Sequence, residues 1–141
     1  MPIHFIVYPI GRLVKYQVEG VPTPAESRDF LDAVFAHRAF RKGFAFLGEP
    51  TAGHVPHAAY TSHLAREVEA RSDRLGPCHW AVVVTSPAGH ALVTMRAAAT
   101  RRGGVEIKPF LTLEEAMEWL SESDENTPLK PNQPPSSLVS V

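Results

Sequence analysis

The segment VEIKPFLTLEEAMEWL, Val105–Leu120, joins a short alternating run to a longer amphipathic one. Val105 and Ile107 stand two residues apart and share one face of an extended strand. Thr112 is placed to cap a helix, and Glu115, three residues on, makes a capping box. Leu113, Ala116, Met117 and Leu120 then fall on one helical stripe, with Trp119 on its flank. The dominant side chains are apolar and periodic, as in a core rather than a reactive site. The segment is therefore a strand and a helix that close a core.

Working back from it, CHWAVVVTS (Cys78–Ser86) is a nearly continuous apolar run, the pattern of a parallel strand covered on both faces. A helix begins near Pro87, is expected to carry Leu92, Met95 and Ala98 inward, and ends at Arg101, Arg102 and the Gly103–Gly104 pair. Tyr60, Leu64 and Val68, spaced by four, predict a helix running to about Arg74, where Gly76-Pro77 stops it. EPTAGHVPHAAY before it is rich in turn formers and reads as a loop. FAFLG, after Gly43, is a short buried strand. In VPTPAESRDFLDAVFAHRAF, Thr23 caps, Pro24 opens the helix, and Glu26 completes a capping box. Phe30, Leu31, Val34 and Phe35 form its inner face. At the start of the chain, IHFIVYPI and LVKYQVEG are separated by Gly11-Arg12 and pair as an antiparallel hairpin. Leu13, Lys15, Gln17 and Glu19 alternate there with Val14, Tyr16 and Val18.

The resulting order is β-β-α-β-α-β-α-β-α, a single α/β domain with a mixed, mostly parallel sheet. Its expected span is residues 1–122, followed by a disordered Pro/Ser-rich tail over 123–141. The closing SSLVSV reads as an ordinary loose terminus, pairing with a sheet edge when a partner offers one being the lesser alternative.

A length of 141 residues allows one domain, and 44% hydrophobic residues suffice for one core. The formal net charge of -1 argues against a nucleic-acid surface, which needs an excess of cations. No apolar run approaches the roughly 20 residues of a membrane span. MPIHFIVYPIGR lacks a cationic lead, so no secretory signal is expected. The single cysteine, Cys78, excludes an internal disulfide and a thiolate metal cluster, and suits a reducing cytoplasm. Glycine-rich phosphate signatures are absent and no cofactor is expected.

Histidines offer the most pointed chemistry. His54, His57 and His63 cluster in sequence, but on a helix starting near His57 the second and third of these point about 240° apart. No carboxylate lies inside the cluster, Glu49 being nearest, and no metal site is expected. Cys78 and His79 are neighbours on a strand, face opposite ways and cannot form a nucleophile–base pair. Ligands of open parallel sheets sit beyond the carboxyl ends of the strands, which places Thr51, His54, Thr85, Ser86 and His90 as the candidate ligand-binding residues. For Ser86, followed by Pro87, a simple helix cap is the favoured reading. Arg96, Arg101 and Arg102 fit a solvated helix face.

The hairpin, the helix opening with TPAE, the run CHWAVVVTSPAGHALVTMRAAA and the ending VEIKPFLTLEEAMEWL together resemble the small STAS-type, SpoIIAA-like domains, over about Met1–Glu122. Those domains are related in architecture to CRAL-TRIO lipid-binding domains. The resemblance implies a non-catalytic interaction or regulatory module that binds a protein partner or itself. Some such domains carry a phosphorylatable serine in an Asp-Ser setting before the second helix; this chain has GHVPHAAY there, so that switch is not carried over. Two alternatives remain open. One is a carrier of a small apolar or lipid-like ligand, suggested by Phe30, Phe35, Phe40, Phe44 and Phe46. The other is a metal hydrolase built on His54, His57, His63 and His90.

Overall fold

The computed structural model describes residues 3–50, 58–97 and 104–124. Within them the chain is an α/β domain built on a five-stranded mixed sheet in the order β1-β2-β3-β4-β5. The strands are β1 (Ile3–Tyr8), β2 (Leu13–Val18), β3 (Ala45–Pro50), β4 (Cys78–Val83) and β5 (Val105–Phe110). β1 and β2 are antiparallel, and every later pairing is parallel. The helices are α1 (Pro24–Ala36), α2 (Ala58–Ala70), the single turn α3 (Ser72–Leu75), α4 (Pro87–Ala97) and α5 (Leu113–Asp124). The expected order thus holds, with two changes: the second helix breaks at Arg71 into α2 and α3, and the last helix runs to Asp124, past residue 122. The expected tail from residue 125 onward lies outside the described residues.

Local signals account for the element ends. Thr23 accepts from the Glu26 amide at 3.1 Å while the Glu26 carboxylate accepts from the Thr23 amide at 2.9 Å, the reciprocal box read from TPAE. At α5 the Thr112 hydroxyl accepts from the Glu115 amide at 3.2 Å, and the Glu115 carboxylate bonds that hydroxyl rather than the backbone. In the hairpin turn the left-handed position is taken by Arg12 (φ 53°), not by Gly11.

The two faces of the sheet are covered differently. α1 packs beside α2 and α2 beside α4 on one face, while α5 lies on the other against β3, β4 and β5. The first face holds the main core: Val14 and Tyr16 of β2, Phe46 of β3 and Cys78 and Trp80 of β4, under Phe30, Leu31 and Val34 of α1 and Tyr60, Leu64 and Val68 of α2. Phe46 and Trp80, paired across β3 and β4, stack at 4.2 Å with their planes 7° apart. Ion pairs from Arg28 to Glu67 (4.0 Å) and Arg71 to Asp32 (3.5 Å) tie α1 to the α2 end. The second face has a smaller core of Leu47, Ala81, Val83, Phe110, Ala116 and Leu120.

Two expected inner faces need correction. On α4 the buried residues are Gly89, Val93 and Ala97, whereas Met95 is 66% exposed and Ala98 lies outside the described residues. Gly89, Val93 and Ala97 recur at every fourth position and form the inward stripe, and Met95, two residues from Val93, falls outside it. On α5, Ala116 and Leu120 are buried, but Leu113 in the first turn is exposed.

Candidate functional site

Of the expected ligand residues, Thr85 and Ser86 lie between β4 and α4, and His90 follows in the first turn of α4. Ser86 accepts from the Gly89 amide at 3.1 Å, so its hydroxyl caps α4. Thr85 is exposed, His90 is half-buried, and the His90 carbonyl accepts from the Thr94 hydroxyl at 2.8 Å. Thr51 and His54 lie outside the described residues, as do His57, Arg101 and Arg102. Among the described residues, no three His, Cys, Asp or Glu side chains gather closely enough to hold a metal ion.

Cys78 and His79 face opposite ways, as their adjacency on β4 requires. Cys78 sits in the main core, and burial pushes its thiol up to about 12, so it stays protonated and a poor nucleophile. His79 lies against Trp119 edge-on at 4.6 Å, with Nε2 at 3.5 Å from the Glu106 carboxylate.

A buried polar group beneath the helices escaped the sequence reading. The Trp80 indole donates to the Tyr16 hydroxyl at 2.8 Å, across two strands. Burial raises the Tyr16 phenol far above its usual range, and the bond from Trp80 offsets part of that rise. Tyr60 is raised as well, first by burial and then by the nearby Tyr16. The Tyr60 and Ser27 hydroxyls are buried with no hydrogen-bond partner among the described residues. Gly48 makes this arrangement possible: a Cβ there would lie 2.6 Å from the Tyr16 ring, and the two residues are register partners. A tyrosine at an inward strand position looks apolar in a sequence pattern, so nothing local distinguished it.

The other distinctive region is the flank of the sheet that α5 leaves open. β-alternation places His4, Ile6 and Tyr8 of β1, Leu13, Lys15 and Gln17 of β2, and Glu49 of β3 on the α5 side. α5 reaches far enough for Leu13 to pack on the smaller core, yet Ile6 remains 56% exposed. Lys15 Nζ lies 3.0 Å from Glu49 Oε1, and Gln17 Nε2 donates to Glu49 Oε2 at 3.3 Å. The result is a strip of His4, Ile6 and Tyr8 on β1, with Ile6 its exposed apolar member, bordered by a polar row along β2 and β3.

The strip ends at a sheet edge, and the two edges differ in chemistry. β5 carries Glu106, Lys108 and Pro109, residues that discourage a further strand from adding. β1, Ile3–Tyr8, reads IHFIVY, with no proline and no charge other than what His4 can acquire. Among the described residues no strand pairs with its outer side.

Comparison with known proteins adds no relative: no family model, no curated protein and no solved structure matches this chain. None of the described helices is long and apolar enough to cross a membrane.

Proposed function

We propose that this domain is a non-catalytic interaction module of the STAS-like, SpoIIAA-like kind, acting in a reducing cytoplasm by binding a protein partner or itself. The observation that carries this reading is the open flank of the sheet: exposed Ile6 on β1 continues into the polar row of Lys15, Gln17 and Glu49, while the opposite face is sealed by helices. A partner covering this flank removes apolar surface from water and meets polar groups at its rim, the usual anatomy of a protein interface. The aromatic residues behind a carrier reading favour the interaction reading instead. Phe40 packs on Phe35, Phe44 and Phe46, with ring centroids 5.7, 5.5 and 6.2 Å apart, which makes them core filling.

Photo-crosslinking in cells tests the reading. A crosslinking residue at Ile6 or Lys15 is expected to trap a protein, whereas one at the exposed Met95 on the helix layer traps far less. A chain that is trapped at neither Ile6 nor Lys15 defeats the proposal.

A further inference from the structure

We propose that the partner seated on the β1 edge is a second copy of this chain, paired antiparallel strand to strand about a two-fold axis at Ile6. This rests on the interaction reading above and names its partner. The first support is the asymmetry of the edges. Exposed edge strands are ordinarily blunted by charge, proline or bulges. β5 carries a lysine, a glutamate and a proline within its six residues, and β1 carries none of these. One edge is guarded against strand addition and the other is shaped to accept it.

The second support is self-complementarity. A two-fold axis normal to the sheet preserves the faces of both strands, so a residue on the axis meets its own copy. With Ile6 on the axis, Ile6 faces Ile6 of the second copy, Phe5 faces Val7, and His4 faces Tyr8. Ile6, His4 and Tyr8 belong to the open flank, and Phe5 and Val7 to the helix-covered side, where both pack on or within the main core. No two like-charged residues are opposed, and the exposed apolar side chain of each copy is covered by its counterpart. The product is a continuous ten-stranded sheet with the α1, α2 and α4 layers of both copies on one side and both α5 helices on the other.

A ladder one strand long is a small interface, at the low end of specific contacts below about 1,200 Å², so the dimer is expected to dissociate on dilution. His4 Nε2 lies 3.9 Å from the Glu19 carboxylate within one copy, an exposed contact at the rim.

The test uses the full chain. Light scattering over a concentration series is expected to show a monomer–dimer equilibrium. Ile6→Lys, which sets two cations opposite each other, is expected to abolish the dimer without altering the circular dichroism or the melting of dilute protein. Ile6→Cys supplies the converse. Directly opposed residues of an antiparallel pair bring their Cα atoms within about 4.5–5.5 Å, inside disulfide range, so air oxidation should link two copies covalently. Ile10→Cys, exposed but beyond the strand, should not link, and native Cys78 is buried. A native chain that is monomeric throughout, or a dimer that survives Ile6→Lys and yields no Ile6→Cys disulfide, overturns the self-pairing. If such a chain still traps a different protein from a crosslinker at Ile6, the interaction reading stands and only the identity of its partner falls. If nothing is trapped, both fall.

Discussion

The two faces of this sheet follow opposite rules. On the helix-covered side, Val14, Phe46, Trp80 and Val105 have essentially no exposed surface, and aromatic rings interlock across three strands. On the other side a single helix covers β3 to β5 and leaves β1 open, with Ile6 the most exposed residue of any strand among the large apolar side chains. Stability is concentrated on the first face. The second face is incompletely sealed, and at Ile6 its apolar surface is still in contact with water.

The sharpest test of that contrast is truncation of a core residue on each face. Trp80→Ala removes the stacked partner of Phe46 and the donor to Tyr16, and is expected to cost about 3–5 kcal/mol in urea unfolding. Leu120→Ala, in the smaller core beneath α5, should fall nearer about 2–3 kcal/mol, since a helix at the rim of a partly open face can settle into the gap. Equal losses at the two sites would dissolve the distinction.

Tyr16→Phe probes the polar element of the sealed face. It deletes the only acceptor seen for the Trp80 indole among the described residues and leaves that N–H buried, an expected loss of about 1–3 kcal/mol by the same measurement. A neutral outcome would mean that the bond contributes little beyond packing.

The smallest effect is expected at the open flank. Ile6→Ser in dilute protein should change unfolding free energy by no more than about 0.5 kcal/mol, the usual range for surface positions. A larger loss would show that Ile6 is already covered within one chain.

Much of this architecture is legible along the chain because its determinants are local. TPAE encodes its own cap; the period-two run of β2 and the unbroken apolar run of β4 encode one-sided and two-sided burial. The histidine reading is a different matter. Ligand spacing in sequence says nothing about where a loop carries His54 and His57, and these lie outside the described residues. Ser86, a candidate ligand by position, is a cap in fact, and both roles draw on the same hydroxyl beside the same helix amides. Met95 differs for another reason: the apolar residues of α4 do not all lie on one face, and the buried stripe is Gly89, Val93 and Ala97, which leaves Met95 exposed.

The amino-acid order by itself determined the kinds of element, their succession and most of their ends, because capping, turn chemistry and burial periodicity act within a few residues of each other. Tertiary structure alone decided that β1 and β5 are the two edges, that α5 stops short of β1, and that Tyr16, Trp80 and Gly48 meet. Those outcomes depend on which strands become neighbours, and strand neighbourhood is settled by long-range packing that no short window of sequence contains.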